Sequence, residues 1–268
     1  MATRTTKQKI PILYEDDDVL VINKPAGLIV HSDGRILEPT VVDWILEKYP
    51  DIRGVGDQIK DLRFKAEEMP SLTDNLNPTS DNLERSGIVH RLDRETSGAL
   101  VIAKNQIAFA RLKKQFQRQL VHKRYQTFVY GSMKKDDGLI DMPIARSARN
   151  PVLWSATRGK KGEKRDALTE YQVLKRNKDF TFLDVYPRTG RTHQIRVHLK
   201  AINYPIVSDR LYSQKYAPAL GFSRLALHSR SVSFIQPTTE QRIIVEAPYP
   251  EDFVHAISLI NPESKIHE

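Results

Sequence analysis

Apolar and polar positions along this chain change period several times, and each change marks an element. Between residues 11 and 32 the apolar run VLVIN (19–23) is followed by Lys24-Pro25-Ala26-Gly27 and then by LIVH (28–31). That pattern predicts two short strands around a turn. From Thr40 to Tyr49 apolar residues recur at helical spacing, with Thr40 as the N-cap. Residues 70–82 are polar and rich in turn formers, which predicts a long loop.

Segment 87–105 (GIVHRLDRETSGALVIAKN) reads as a short strand, a polar loop centred on Asp93, and an apolar strand at 99–103. Residues 106–120 predict an amphipathic helix. Phe109, Leu112, Phe116 and Leu120 form its apolar stripe, and Arg111, Lys114 and Arg118 a basic one. A strand at 123–131 follows, then a hairpin over 167–187 with its turn at Asn177-Lys178-Asp179. A helix over 191–202, a second hairpin from 225–236 and 241–248, and a last helix over 251–260 complete the pattern. Strands with interspersed helices and frequent hairpins predict an α+β fold, with a central, mainly antiparallel mixed sheet flanked by helices and loops.

With 268 residues, 40% of them hydrophobic, the chain can bury a sizeable core. Its apolar runs are too short to cross a bilayer, and its basic N-terminus lacks the apolar centre of a secretory signal. The expectation is a cytoplasmic protein with no membrane part. The absence of cysteine excludes disulfides, thiolate metal sites and cysteine nucleophiles. No H-E-x-x-H spacing occurs, and His193 and His198 stand five apart, off a shared helix face, so no metal site is expected. Gly159-Lys160-Lys161-Gly162 lacks the spacing of a phosphate-binding loop and reads as a basic loop.

Charge points to a polyanionic partner, since the net value is +9. Its distribution says more than its sum. Between Thr96 and Lys135 there is no Asp or Glu, while Lys104, Arg111, Lys113, Lys114, Arg118, Lys123, Arg124, Lys134 and Lys135 are basic. A second acid-free span, 185–208, holds Arg188, Arg191, Arg196 and Lys200. One such run is as readily a solvated surface. Two of them around the segments described next favour a nucleic-acid footprint, with Lys104, Arg111, Lys114 and Arg118 as candidates for contacts to the phosphate backbone.

His90 to Gly98, HRLDRETSG, packs charged and hydroxyl side chains between apolar runs, a placement common for catalytic groups. Asp93 lies between Arg91 and Arg94, an environment that keeps a carboxylate ionised as a nucleophile requires. Thr96-Ser97-Gly98 can bond back to the backbone and fix the loop. Charge alone weighs toward a salt-bridged turn.

The order of the letters adds to this. HRLDRETSG resembles the signature of the RluA-like family of RNA pseudouridine synthases, and it does not stand alone. VLVINKPAGLIVH resembles that family's N-terminal block, KRYQTFVYG its second motif, RTGRTHQIRVHLKAINYPIVSDRLY its third, and LALHS the block after it, in family order. The resemblance implies a single catalytic domain over 1–268, with its core at about 12–255 and a polar insertion at about 58–85. It implies isomerisation of specific uridines in structured rRNA or tRNA, without a cofactor and with no obligate protein partner. Asp93 aligns with the essential aspartate, which attacks C1′ of the ribose or abstracts the 2′ proton. Tyr125 aligns with the tyrosine that packs on the flipped uracil and takes the C5 proton; strand propensity alone would read it as a core residue. Arg196 aligns with the basic residue that pairs with the aspartate, and Arg191 competes for that place. Arg91 aligns with an arginine that fills the gap left by the flipped base, and Arg94, Arg191 and His193 are carried as RNA contacts beside it. The resemblance begins near residue 12, so the N-terminal S4 domain of many relatives is not expected in this sequence. Arg85-Ser86-Gly87 stands where many relatives have Arg-Pro-Gly.

Two other readings remain open on the residues alone. Asp93 and Glu95, sharing a strand face, could form a carboxylate pair for metal-dependent phosphodiester cleavage or glycosidic hydrolysis. Arg85, Arg91 and Arg94 nearby oppose a cation there. Alternatively, the chain could bind or fold RNA without catalysis.

Overall fold

The computed structural model describes residues 9–31, 38–57, 86–148, 150, 153–157 and 160–260. The expected polar insertion at 58–85, with its loop at 70–82, lies outside the described residues. The chain divides into two compact units, the first of Met1–Arg94, Ala99–Val121 and Phe234–Val245, the second of Glu95–Gly98, His122–Ser233 and Glu246–Glu268.

In the first unit, β1 (Ile12–Glu15) and β2 (Val19–Lys24) form an antiparallel hairpin. Asp16 makes its turn, since Oδ1 accepts from the amides of Asp18 and Val19 at 2.8 and 2.7 Å. The hairpin therefore lies one step earlier than the sequence predicts, and LIVH is not its second strand. Only Ile29 makes a bridge, to Thr40. The carbonyls of Ile29 and Val30 instead accept from the amides of Val41 and Val42 at 2.9 and 3.1 Å. Those amides open α1 (Val41–Lys48) and have no partner within the helix. Thr40 caps α1 as expected, in a reciprocal box with Asp43.

β3 (Ser97–Ala103) is buried along its whole length, as a central strand should be. Asn105 caps α2 (Gln106–Gln117), which buries Phe109 and Leu112. Leu120 leaves the predicted stripe. The helix ends earlier, Gln119 turns left-handed at φ 59°, and Leu120 is exposed.

The second unit is built on β4 (His122–Tyr130), β5 (Asp137–Asp141), β6 (Ile144–Ser147), β7 (Trp154–Ser155), β8 (Lys160–Arg165), β9 (Leu168–Arg176), β10 (Phe180–Pro187), α3 (Gln194–Ala201) and β11 (Leu227–Ile235). Strands run in the order β11-β4-β10-β9-β5 with antiparallel ladders. Ser97 and Gly98 at the start of β3 pair in parallel with His228 and Ser229, which makes this sheet mixed. The hairpin turn predicted at 177–179 is present, with Asn177 Oδ1 accepting from the amides of Asp179 and Phe180. β7-β6-β8 is a separate small sheet. Of residues 159–162, expected as a basic loop, 160–162 begin β8 of that sheet, and Gly159 lies outside the described residues. No apolar periodicity marks β8; its pairing to β6 makes it a strand.

β12 (Arg242–Glu246) closes the hairpin with β11, and α4 (Glu251–Ile260) covers the residues predicted for the last helix. In the second unit Phe128, Phe182, Phe222 and Phe253 form one aromatic cluster, with Phe128 and Phe182 stacked at 4.5 Å. Together these elements make the α+β fold that the periodicity predicts. No helix among the described residues is long and apolar enough to cross a membrane.

Candidate active site

Asp93 sits half-buried on a loop whose neighbours are tied down on either side. Leu92, 4% exposed, anchors it in the core. His90 accepts the Val101 amide on Nε2 at 2.9 Å, and its ring stacks on Phe116 at 4.7 Å. On the other side, the Arg94 carbonyl accepts from the Gly27 amide at 2.9 Å and from Lys24 Nζ at 3.1 Å. Lys24 is fully buried, and its ammonium also reaches the carbonyls of Pro25 and Leu28 at 2.8 and 2.7 Å. A buried charge is costly unless it is hydrogen-bonded, and these carbonyls supply that. Thus the Lys24-Pro25-Ala26-Gly27 segment clamps the residue that follows Asp93. Of the flanking arginines, Arg91 is exposed, while Arg94 pairs with Glu38 at 2.6 Å.

The continuation of this loop belongs to the second unit. Ser97 does not bond back to the loop as expected; its hydroxyl pairs with His228 Nδ1 at 2.9 Å. Burial pushes the His228 imidazole down to about 4, so it is neutral at physiological pH. Gly98 adopts φ +111°, and a Cβ there would lie 2.2 Å from the Ser229 carbonyl oxygen. Only glycine allows that close approach. Arg224 fixes the turn itself, donating to the Glu95 carbonyl at 3.2 Å while it grips Asp252 in a two-pronged ion pair.

Tyr125 lies on β4, 8% exposed, opposite Val185 and Ser229. Two residues earlier on that strand, Lys123 donates to the Thr189 carbonyl at 3.3 Å, and burial pushes its amine down to about 8. The remaining predicted residues of this unit come together at the start of α3. Gln194 organises that terminus: its carbonyl oxygen accepts from Thr189 Oγ1 and the Arg191 amide, and its amide nitrogen donates to the Leu168 carbonyl and Thr169 Oγ1. Arg191 is exposed, with Nε bonded to the Asp166 carbonyl. His193 is left-handed at φ 55° and pairs through Nδ1 with the Tyr212 hydroxyl at 2.9 Å. Arg196 is 7% exposed and held by Asp209, with its guanidinium 5.0 Å from the centre of the Tyr212 ring. An arginine so fixed presents its charge in one direction, with little freedom to lose on binding an anion.

Sequence reasoning missed Lys24, Gln194, Asp209, Tyr212 and His228 as individual residues. Each lies inside a quoted block, but nothing in the spacing says which residue grips which.

The backbone-contact candidates divide. Lys104 is engaged by Glu15 at 3.0 Å and by the Asp16 carbonyl at 2.6 Å, and Arg111 by the Pro237 carbonyl. Lys114 and Arg118 are exposed, with no ion pair among the described residues. No cluster of three or more His, Cys, Asp or Glu suited to a metal occurs among the described residues.

The sequence model of a family described as RNA pseudouridylate synthase matches residues 18–201. The chain is 36% identical over 250 residues to YlyB of Bacillus subtilis, named as an uncharacterized RNA pseudouridine synthase, covering 92% of this chain and 72% of that one. It is 34% identical over 275 residues to the ribosomal large subunit pseudouridine synthase D of Xanthomonas campestris, covering 98% and 73%. In fold it is similar to human RNA pseudouridylate synthase domain containing 4, with a TM-score of 0.66 and 24% identity over 93% of this chain and 92% of that one.

Proposed function

Because this chain belongs to the RNA pseudouridylate synthase family, whose members isomerise uridine in RNA, we propose that Asp93 is the group that attacks the target uridine. The observation that carries this reading is the clamp on its loop. A half-buried carboxylate is held between Leu92 and a residue gripped by Lys24 and Gly27, which is how a nucleophile is kept in position.

The target must leave its stack before its glycosidic bond can be reached. Asp93 then attacks C1′, releasing uracilate to turn and rejoin through C5, or abstracts the 2′ proton and proceeds through a glycal. Tyr125 packs on the base and takes the C5 proton. Arg196, oriented by Asp209, serves as the cationic partner of the Asp93 carboxylate. Arg91 fills the gap left by the flipped nucleotide, with Arg94, Arg191 and His193 holding the strand beside it. Lys114 and Arg118 take RNA phosphates, where Lys104 and Arg111 are already engaged within the protein. The reaction has no net redox change and needs no cofactor. We place it in the cytoplasm, on structured rRNA or tRNA, within one catalytic domain and without an obligate protein partner. The name of the Xanthomonas relative makes large-subunit rRNA the first substrate to test.

The test is a pseudouridine map of total RNA, by carbodiimide labelling and primer extension, from cells with and without this gene. One or a few sites should vanish and return with wild-type protein but not with Asp93→Asn, whose RNA affinity should stay near wild type. Restoration of those sites by Asp93→Asn would remove Asp93 from the role. Activity that survives EDTA would count against a metal-dependent carboxylate pair at Asp93 and Glu95.

A further inference from the structure

At the β5 edge of the second unit lies a cavity of about 540 Å³, within the range that binds small ligands. None of the residues assigned to uridine isomerisation lines it. It is lined by Tyr171 and Tyr204, by Ile140 and Ile202, and by the exposed Lys134 and Lys135. Both rings lie against glycines. A Cβ on Gly138 would fall 2.6 Å from the Tyr171 hydroxyl, and one on Gly131 would fall 3.4 Å from the Tyr204 ring. Glycine at these positions thus lets each tyrosine approach the backbone closely.

The segment that carries the lysines is fixed before any ligand arrives. The Gly131 amide donates to the Asp179 carbonyl at 2.6 Å, and the Gly131 carbonyl accepts from Thr181 Oγ1 at 2.7 Å. The Met133 amide donates to Thr181 Oγ1, and Arg176 ties down the Met133 carbonyl and the Asp136 carboxylate. Lys134 and Lys135 are exposed and make no ion pair among the described residues. Asp137 is the acidic residue at the rim, so the mouth carries net positive charge. Burial, with Asp137 and Tyr204 close by, pushes the Tyr171 phenol up, so it remains a neutral donor and acceptor.

We propose that this cavity is a second nucleotide subsite, which takes one unpaired base against Tyr171 and Tyr204 and the attached phosphate on Lys134 and Lys135. Aromatic faces accept any base, and lysines accept phosphate as point charges. The same chemistry would serve a free nucleoside monophosphate or a nucleotide in the RNA strand.

The experiment photo-cross-links the full-length protein to a short oligouridylate carrying 4-thiouridine and maps the modified peptides. Titration with uridine monophosphate runs beside it. Cross-links should fall on peptides containing residues 131–140, Tyr171 or Tyr204. Replacing both lysines (Lys134→Ala with Lys135→Ala) should weaken oligonucleotide binding about tenfold, and Tyr204→Ala should do the same, with turnover at saturating RNA unchanged. The lysines are exposed, so their replacement tests the site even if Tyr204→Ala fails to fold. Uridine monophosphate that saturates the wild type but not these variants, with oligonucleotide affinity unmoved, would assign the subsite to free nucleotides. Cross-links confined to other peptides, with both affinities unchanged in the variants, would overturn the proposal. These readouts do not depend on isomerisation, so they stand apart from the test of Asp93.

Discussion

Arg196 grips Asp209 with two parallel hydrogen bonds, Nε and Nη2 each 2.8 Å from a carboxylate oxygen, and both side chains are withdrawn from solvent. Asp209 also accepts the amides of Leu211 and Tyr212 on Oδ1, so a single carboxylate orders both the arginine and the loop beside it. Removing one partner of a buried pair leaves an uncompensated charge, which costs about 3–5 kcal/mol. Asp209→Ala should lose stability on that scale in urea unfolding. Asp209→Asn, which keeps one acceptor, should lose less. Equal, small losses for both would mean that the pair does not hold Arg196.

Tyr125→Phe keeps the ring and removes only the hydroxyl. Stability should stay near wild type, while turnover falls by about 10²–10⁴, the usual contribution of a positioned general acid or base. Single-turnover kinetics on a mapped substrate would measure it. Wild-type turnover would take Tyr125 out of the proton transfer.

Gly98 and Gly190 make a contrasting pair. A Cβ on Gly98 would strike the Ser229 backbone in a left-handed conformation, whereas one on Gly190 would meet nothing within 4 Å. Gly98→Ala should destabilise by about 1–3 kcal/mol from backbone strain, with overpacking adding to it. Gly190→Ala should stay within about 0.5 kcal/mol of wild type in thermal unfolding.

Affinity for RNA should fall steeply as salt rises, because bound cations displace counterions from phosphates. Lys114→Ala and Arg118→Ala should each lower the slope of log affinity against log salt by about one. Lys104→Ala should change it little, since that ammonium is already engaged by Glu15 and the Asp16 carbonyl. Affinity flat in salt would contradict the phosphate-contact reading.

His228 should set an acid limit to stability. Burial lowers its imidazole from 6.5 to about 4, with Arg224 and Arg230 adding to the depression and Asp252 opposing it. The unfolded chain therefore takes up this proton first as pH falls. The stabilisation is complete above about 6.5 and is lost as pH drops toward 4. Urea midpoints across that window should decline more steeply for wild type than for His228→Asn, and parallel curves would refute the assignment.

Much of the fold was legible because it is local. The helix at 251–260 and the turn at 177–179 follow from spacing and turn chemistry within a few residues, and both stand where the sequence predicts them. The reading of 28–31 as a strand failed for a reason no local pattern carries. Leu28 and Val30 are buried, but the carbonyls of Ile29 and Val30 serve the first amides of α1 in place of a ladder. β8 is the converse case, a polar segment made a strand by its partner.

By itself the sequence determined the α+β class, the uridine-isomerising family and the segments that carry charge and chemistry, since period, composition and motif order are properties of neighbours along the chain. Tertiary structure alone decided what holds those segments. Lys24 reaches the Arg94 carbonyl across 70 residues, Ser97 meets His228 across 131, and Arg196 grips Asp209 across 13. A hydrogen bond depends on where two atoms lie in space, and folding brings together partners whose distance apart in sequence leaves no periodic trace.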